Sequence, residues 1–262
     1  MHVRVDGLRR AVRSSRAYSR AVLPLPLGRL PEFLVIGGQR CGTTSLYRYL
    51  AAHPSVRPAT GKELQFFSLH HARGERWYRA HFPVRPPEAR SFEASPYYLF
   101  DPAVPARAAA MLPGARFVAL IRDPAERAYS HYLHSVAYGA EKLPFAEALD
   151  AEPARLASGD HAARRQFSYV ARGRYAEQLT RWFDAAGRDR VLVVRTEDLT
   201  SRYADILAFL GLEPQAAPAG IHTRRAAGAP PLGDALRERL DAEFAADRKS
   251  LQELLPDLRP FD

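Results

Sequence analysis

Short apolar runs recur along this chain, each followed by a turn signal and then by apolar positions at helical spacing. Phe33 to Ile36 is the first run, and Leu46, Tyr47 and Leu50 mark one face of the helix behind it. His53-Pro54 ends that helix, because the residue before proline avoids the helical region. Ser55 to Pro87 shows no sustained period and reads as irregular structure with short helices. A strand is expected near Ser91 to Glu93, ahead of Pro96. Ala103 to Met111 reads as a helix closed by Pro113-Gly114, and Arg116 to Ile121 as a strand buried on both faces. Asp123-Pro124 supplies an N-cap and first-turn pair for a helix over Ala125 to Val136. Glu141 to Arg165 is polar and arginine-rich. A helix over Gly173 to Ala186, a strand over Arg190 to Val194, a helix over Tyr203 to Leu210 and a last helix over Gly233 to Leu255 complete the chain. This alternation predicts a three-layer α/β fold, P-loop-like, with a central parallel sheet flanked by helices. In such sheets ligands sit beyond the carboxyl ends of the strands. The loops after Ile36, Ile121 and Val194 are therefore expected to share one crevice.

Composition narrows the picture. A chain of 262 residues, 47% hydrophobic, is expected to form one large domain over residues 30–262, preceded by a basic arm at 1–29. That arm carries seven arginines against Asp6, which is +6 of the chain's net +9. Charge gathered at one end argues against a nucleic-acid face, so no nucleic-acid partner is expected. Cys41 is the single cysteine, which excludes an intramolecular disulfide. No run approaches the ~20 apolar residues of a membrane span. The expectation is a cytoplasmic protein without a transmembrane segment.

Candidate chemistry begins at the first strand's end. Gly37-Gly38-Gln39-Arg40-Cys41-Gly42-Thr43-Thr44-Ser45 is a glycine-bearing loop running into a hydroxyl-rich helix start. Glycines let backbone approach an anion, and the N–H groups and dipole of the helix start hold it. The spacing Gly37-x4-Gly42 opens like a Walker A loop, but Thr43 stands where that motif requires lysine. The loop reads as a phosphate cradle not built for ATP-magnesium. A second stretch, Gly61-Lys62-Glu63-Leu64-Gln65-Phe66-Phe67, places a lysine and a carboxylate among aromatics. A carboxylate against Phe66 and Phe67 would have its pKa raised toward general-base range. In the third stretch, Arg122-Asp123-Pro124-Ala125-Glu126-Arg127-Ala128-Tyr129-Ser130, Arg122 at a strand mouth suits bidentate phosphate binding. Ser130, about two turns into the helix, can face the same anion. The plainer reading pairs Arg122 with an acid, Asp123 being the obvious one.

Together these stretches resemble the sulfotransferases that use 3′-phosphoadenosine-5′-phosphosulfate (PAPS), in particular the heparan sulfate N- and O-sulfotransferase group. The resemblance runs from about Glu32 to Leu212, with Trp77-Tyr78 and Phe82-Pro83 in the expected place. It implies that Gly38, Gln39, Arg40, Cys41, Gly42, Thr43, Thr44 and Ser45 bind the 5′-phosphosulfate. It implies Glu63 as the base on the acceptor, and Arg122 and Ser130 as the 3′-phosphate site. Arg40 would stabilise the leaving oxygen, with Lys62 reaching the sulfuryl group. PAPS would be the co-substrate, adenosine 3′,5′-bisphosphate (PAP) the product, and no metal would be needed. The expected acceptor is a hydroxyl, or an amine, on a small molecule, glycolipid or saccharide. Gln65 occupies a slot that N-sulfating relatives fill with the same residue, and the aromatics Phe66, Phe67, Trp77, Tyr78, Tyr97 and Tyr98 suit sugar or aryl faces.

Three departures stand out. Arg40 replaces the family's lysine, and a guanidinium does not donate a proton at ordinary pH. The disulfide-closed loop of heparan-acting relatives is absent, leaving Arg224 and Arg225 to cover the nucleotide. Ala94 takes a position where lysine is frequent. The competing readings are a P-loop nucleotide kinase or NTPase, which Thr43 opposes, and a non-catalytic polyanion binder using the arm.

Overall fold

The computed structural model describes residues 21, 26–84, 86, 88–219 and 230–261. Five parallel strands form its sheet: β1 (Phe33–Gly37), β2 (Val56–Pro58), β3 (Arg90–Ala94), β4 (Arg116–Ile121) and β5 (Val191–Arg195). Their order is β2-β3-β1-β4-β5, so β1 lies at the centre, with Leu34 opposite Glu93 of β3 and Phe117 of β4. The helices are α1 (Thr43–Ala51), α2 (Gly74–Ala80), α3 (Val104–Met111), α4 (Pro124–Ala137), α5 (Phe145–Ala157), α6 (His161–Phe167), α7 (Tyr175–Ala186), α8 (Tyr203–Leu210) and α9 (Asp234–Leu254).

Alternation along the strands divides the core into two layers, because successive side chains point to opposite faces. Leu34, Ile36, Phe117, Ala119 and Ile121 face α3, α7 and the end of α9, where Trp182 and Leu251 close the layer. Phe33, Val35, Val118 and Leu120 face α1 and α8 through Leu46, Leu50, Ile206 and Leu210. A smaller cluster joins α4, α5 and the start of α9 through Ala125, Phe145, Tyr169 and Phe244. The three-layer parallel architecture expected from the pattern is thus present, and the observed elements agree with the expected ones within a few residues.

Two parts differ. The edge strand β2 lies inside the segment read as irregular, since three residues ending in Pro58 give no period to detect. Within the polar stretch Glu141 to Arg165 the chain forms α5 and α6. Glu141 and Glu152 explain α5's stability despite Pro153. Glu141 pairs with Arg155 and accepts from Tyr169, and Glu152 accepts the N–H groups of Val170 and Ala171. The arginines there cover a satellite core rather than solvent alone: Arg155 lies 4.1 Å from the Phe167 ring. Most of the basic arm, and both Arg224 and Arg225, lie outside the described residues. Among the described residues, no helix is long and apolar enough to cross a membrane.

Candidate active site

The loop between β1 and α1 lies at the sheet's centre, at the carboxyl end of β1. Glycine is required twice. A Cβ at Gly37 would sit 2.4 Å from that of Leu99, and Gly42 has φ +80°, where L side chains strain. Arg40 also takes a left-handed backbone (φ +68°), a cost that persists only where surroundings over-determine it. The N–H of Gly38 donates to Leu120 of β4, and Thr196 Oγ1 contacts the carbonyl oxygens of Cys41 (2.9 Å) and Ile121 (3.0 Å). Thr196 thereby ties together the loops after β1, β4 and β5. No side chain caps the start of α1 and no acidic residue lies in its first turn, which suits an anion. Cys41 turns its thiol into the interior, 3.7 Å from Tyr175 Oη, where burial raises its pKa. Thr43 and Ser45 are buried, and Thr44 is exposed.

Two side-chain contacts bring all three motifs together. Arg40 Nε donates to Ser130 Oγ of α4 at 3.1 Å. Lys62 Nζ donates to Thr44 Oγ1 at 3.0 Å. Burial, with Arg122 adding repulsion, lowers the pKa of Arg40; burial also lowers that of Lys62, against the pull of Glu63. Arg122 pairs with Glu126 at 3.0 Å, one turn along α4, and not with Asp123. Asp123 caps α4 by accepting from the Glu126 N–H (2.8 Å), and it also receives Arg237 (3.1 Å) and Arg248 (2.9 Å) from α9. The acid next to Arg122 is thus spent on fixing the last helix.

Glu63 keeps 36% of its side chain exposed. Its Oε2 accepts from Gln65 Nε2 at 2.9 Å, and its Oε1 lies 3.7 Å from Lys62 Nζ. The rings of Phe66 and Phe67, which follow it in the chain, are fully buried. With Tyr78 and Tyr98 they form an aromatic core under the loop, Phe66 stacked on Tyr78 and Phe67 edge-on to Tyr98, so most of the expected aromatic platform belongs to the interior. The reason is hydrogen bonding: Tyr78 and Tyr98 both donate to the buried Glu93.

Two functional candidates were not legible as motifs. Arg172, buried beside Ser168, donates to Gln39 Oε1, which leaves the Gln39 amide N–H groups as its remaining donors. Its guanidinium lies over Tyr97 at 4.8 Å and Phe100 at 5.2 Å. Burial pushes its pKa down to about 9, with Glu63 among the charges opposing that fall. Nothing distinguishes it in an arginine-rich sequence. Glu93 carried a signal that could have been used, an acid inside an apolar strand. A cavity of about 310 Å³ opens beside Gln39, lined in part by His131, His134, Tyr138 and Arg165. Another, about 370 Å³, lies between α5 and α9 and involves none of these motifs. Among the described residues no cluster of histidine, cysteine, aspartate or glutamate is positioned to hold a metal.

A strand-loop-helix cradle, a basic strand mouth and an exposed carboxylate thus meet at the carboxyl end of the sheet's central strands. The sulfotransferase domain model matches residues 30–221, and the chain belongs to that family. A sulfotransferase from Alicyclobacillus acidocaldarius shares 32% identity at a TM-score of 0.77, covering 88% of this chain and 98% of that one. Human bifunctional heparan sulfate N-deacetylase/N-sulfotransferase 3 is 35% identical over 202 residues, 71% of this chain. The match spans 23% of that enzyme's length. A mouse sulfotransferase solved with PAP has the same fold, at a TM-score of 0.53 and 11% identity.

Proposed function

We propose that the chain transfers the sulfuryl group of PAPS to a hydroxyl or amine of a saccharide acceptor and releases PAP. The observation that carries this reading is the convergence of the three motifs through Arg40–Ser130 and Lys62–Thr44. In this reading the amides of the Gly38 to Ser45 loop, with Thr43 and Thr44, hold the 5′-phosphate. Arg122 and Ser130 hold the 3′-phosphate. Arg122 exchanges or shares its present partner Glu126 when that phosphate arrives, and Ser130 keeps Arg40 at the junction of the two sites.

Glu63 takes the proton from the acceptor, whose oxygen or nitrogen then attacks sulfur in line with the bond to the 5′-phosphate. That S–O bond breaks, and its electron pair leaves on PAP. Arg40 stabilises the charge developing on the departing oxygen, a preorganised electrostatic role. Lys62 lies between Thr44 and Glu63, which suits contact with the sulfuryl oxygens during transfer. The exposure of Glu63 supports an acceptor approaching from solvent. The likeness to heparan sulfate N-sulfotransferases supports a saccharide, and an amine within that class through Gln65.

The test is a radiolabelled PAPS assay with N-deacetylated heparosan, its N-acetylated parent and 4-nitrophenol as acceptors. Transfer to either polysaccharide supports the reading, and the amine form alone would fix N-sulfation. Transfer to 4-nitrophenol alone would overturn the saccharide assignment.

A further inference from the structure

Glu93 is an acid in the middle of a parallel sheet, with no exposed surface. Its carboxylate is met only by donors. Tyr78 Oη of α2 donates to Oε1 at 2.7 Å, and Tyr98 Oη donates to the same oxygen at 2.8 Å. Ser95 Oγ donates to Oε2 at 3.0 Å, and the backbone N–H of Leu64 faces the carboxylate as a further stabilising dipole. Three hydroxyls thus donate to the carboxylate, which offers about four lone-pair positions, and the Leu64 N–H lies beside them. The two tyrosines are the titratable groups facing it, both pushed well above the usual phenol range by burial and so neutral. The adjoining strands bring Leu34 of β1 opposite Glu93 and pair Pro58 of β2 with Phe92, neither of them charged.

The network reaches the segment that carries Glu63. Ser95 spends its one proton on Glu93, so its oxygen accepts the N–H of Gln65 at 3.1 Å. Tyr98 Oη likewise accepts the N–H of Phe67 at 3.3 Å. Gln65 sits in the left-handed region at φ +55°, a conformation that a non-glycine residue keeps only under external constraint. Its side chain, held by Ser68 Oγ at 2.8 Å, donates to Glu63 at 2.9 Å. An unbroken path therefore joins the buried carboxylate to the exposed one.

We propose that Glu93 is the positioning residue of the acceptor-side loop, holding the backbone of Leu64 and Gln65 and through them the orientation of Glu63. The assignment rests on Glu63 as the base and adds a residue that touches no substrate. Ionised Glu93 accepts from the three hydroxyls and attracts the Leu64 N–H. Protonation replaces an acceptor lone pair by a hydrogen set against groups that are already donating, and the hold on Leu64 and Gln65 slackens. Burial raises the carboxyl to about 7, so this change falls near neutral pH.

The test is backbone amide hydrogen exchange on the full chain bound to PAP, corrected for the intrinsic pH dependence of exchange. The wild-type protein should lose about tenfold protection at Leu64 and Gln65 as pH falls through neutrality. Glu93→Gln should show low, pH-independent protection at those two amides, while β1 and β4 keep wild-type values. Ser95→Ala, a milder change, should release Gln65 and leave Leu64 protected. Glu93→Gln should also lower kcat with N-deacetylated heparosan at least about tenfold, with PAP affinity within twofold. Unchanged protection at Leu64 and Gln65 would overturn the proposal. So would protection lost evenly through the sheet, or a released loop with unaltered kcat. Glu63→Gln separates the two readings: full turnover in that variant refutes the base and leaves the exchange pattern as it was.

Discussion

The donor side and the acceptor side of this site handle buried charge in opposite ways. Around the phosphate loop, positive groups are held against the cost of burial. Arg40 and Arg172 both have lowered pKa values for that reason, and buried Arg127 has two guanidinium nitrogens, Nε and Nη1, without a hydrogen-bond partner among the described residues. Below the Lys62 to Gln65 loop a single buried anion is met by three hydroxyls, with the Leu64 N–H beside them. The acceptor side is complete as folded, and in the proposed function an anionic ligand completes the donor side. A buried charge left without a partner costs more than its pair returns in the open, so ligand binding and stability should be coupled on the donor side alone. The acceptor side instead uses its internal bonds to leave one carboxylate, Glu63, outside.

The largest expected effect separates chemistry from binding. Glu63→Gln should cut kcat by about 100-fold or more, the range of a lost general base, with PAP affinity within twofold in calorimetry. Loss of PAP binding in step with kcat would erase the distinction between the two sides. Next is pH-dependent stability. Because folding raises the carboxyl of Glu93 from 4.5 to about 7, its protonated form favours the folded state. Its contribution is full below about pH 4.5 and is lost as pH rises through 7, on the order of 3 kcal/mol by linkage. Denaturant unfolding of Glu93→Gln should lack that slope, whereas a persisting slope would place the titration elsewhere. Arg122→Ala should weaken PAP by about 10- to 100-fold, the worth of a charge-assisted contact, and 5′-AMP by much less. Equal weakening would move Arg122 away from the 3′-phosphate. The smallest effect sharpens the contrast most. Glu126→Gln removes the carboxylate now 3.0 Å from Arg122 and should tighten PAP by less than about fivefold. Weaker binding would show that Glu126 holds Arg122 in place instead of competing for it.

The same contrast explains what the sequence disclosed. The donor side depends on backbone geometry, and backbone geometry leaves a mark in residue type: Gly37 where Leu99 comes close, Gly42 at positive φ, hydroxyls at a helix start. Those requirements are local, so contiguous residues spell them out. The acceptor side is assembled from β3, α2 and the turns at Ser95 and Gln65, and no short window contains it. The aromatics near Glu63 therefore looked like an acceptor platform, while their hydroxyls were committed to Glu93. Asp123 misled for a related reason. Adjacency to Arg122 suggested a pair, but its partners Arg237 and Arg248 lie more than a hundred positions away. Strands with continuous apolar runs were readable from their burial; β2, three residues long at the sheet edge, carried too little pattern.

Calorimetric titration of the full chain with PAP, with 5′-AMP and ATP-magnesium in parallel, decides what the donor side holds. PAP should bind at least about tenfold more tightly than 5′-AMP, since in the proposed function only PAP meets Arg122 and Ser130 as well as the loop. ATP-magnesium should show no comparable binding. Binding of ATP-magnesium as tight as that of PAP would overturn the 3′-phosphate site, and the donor side would then be a triphosphate cradle that does without the P-loop lysine.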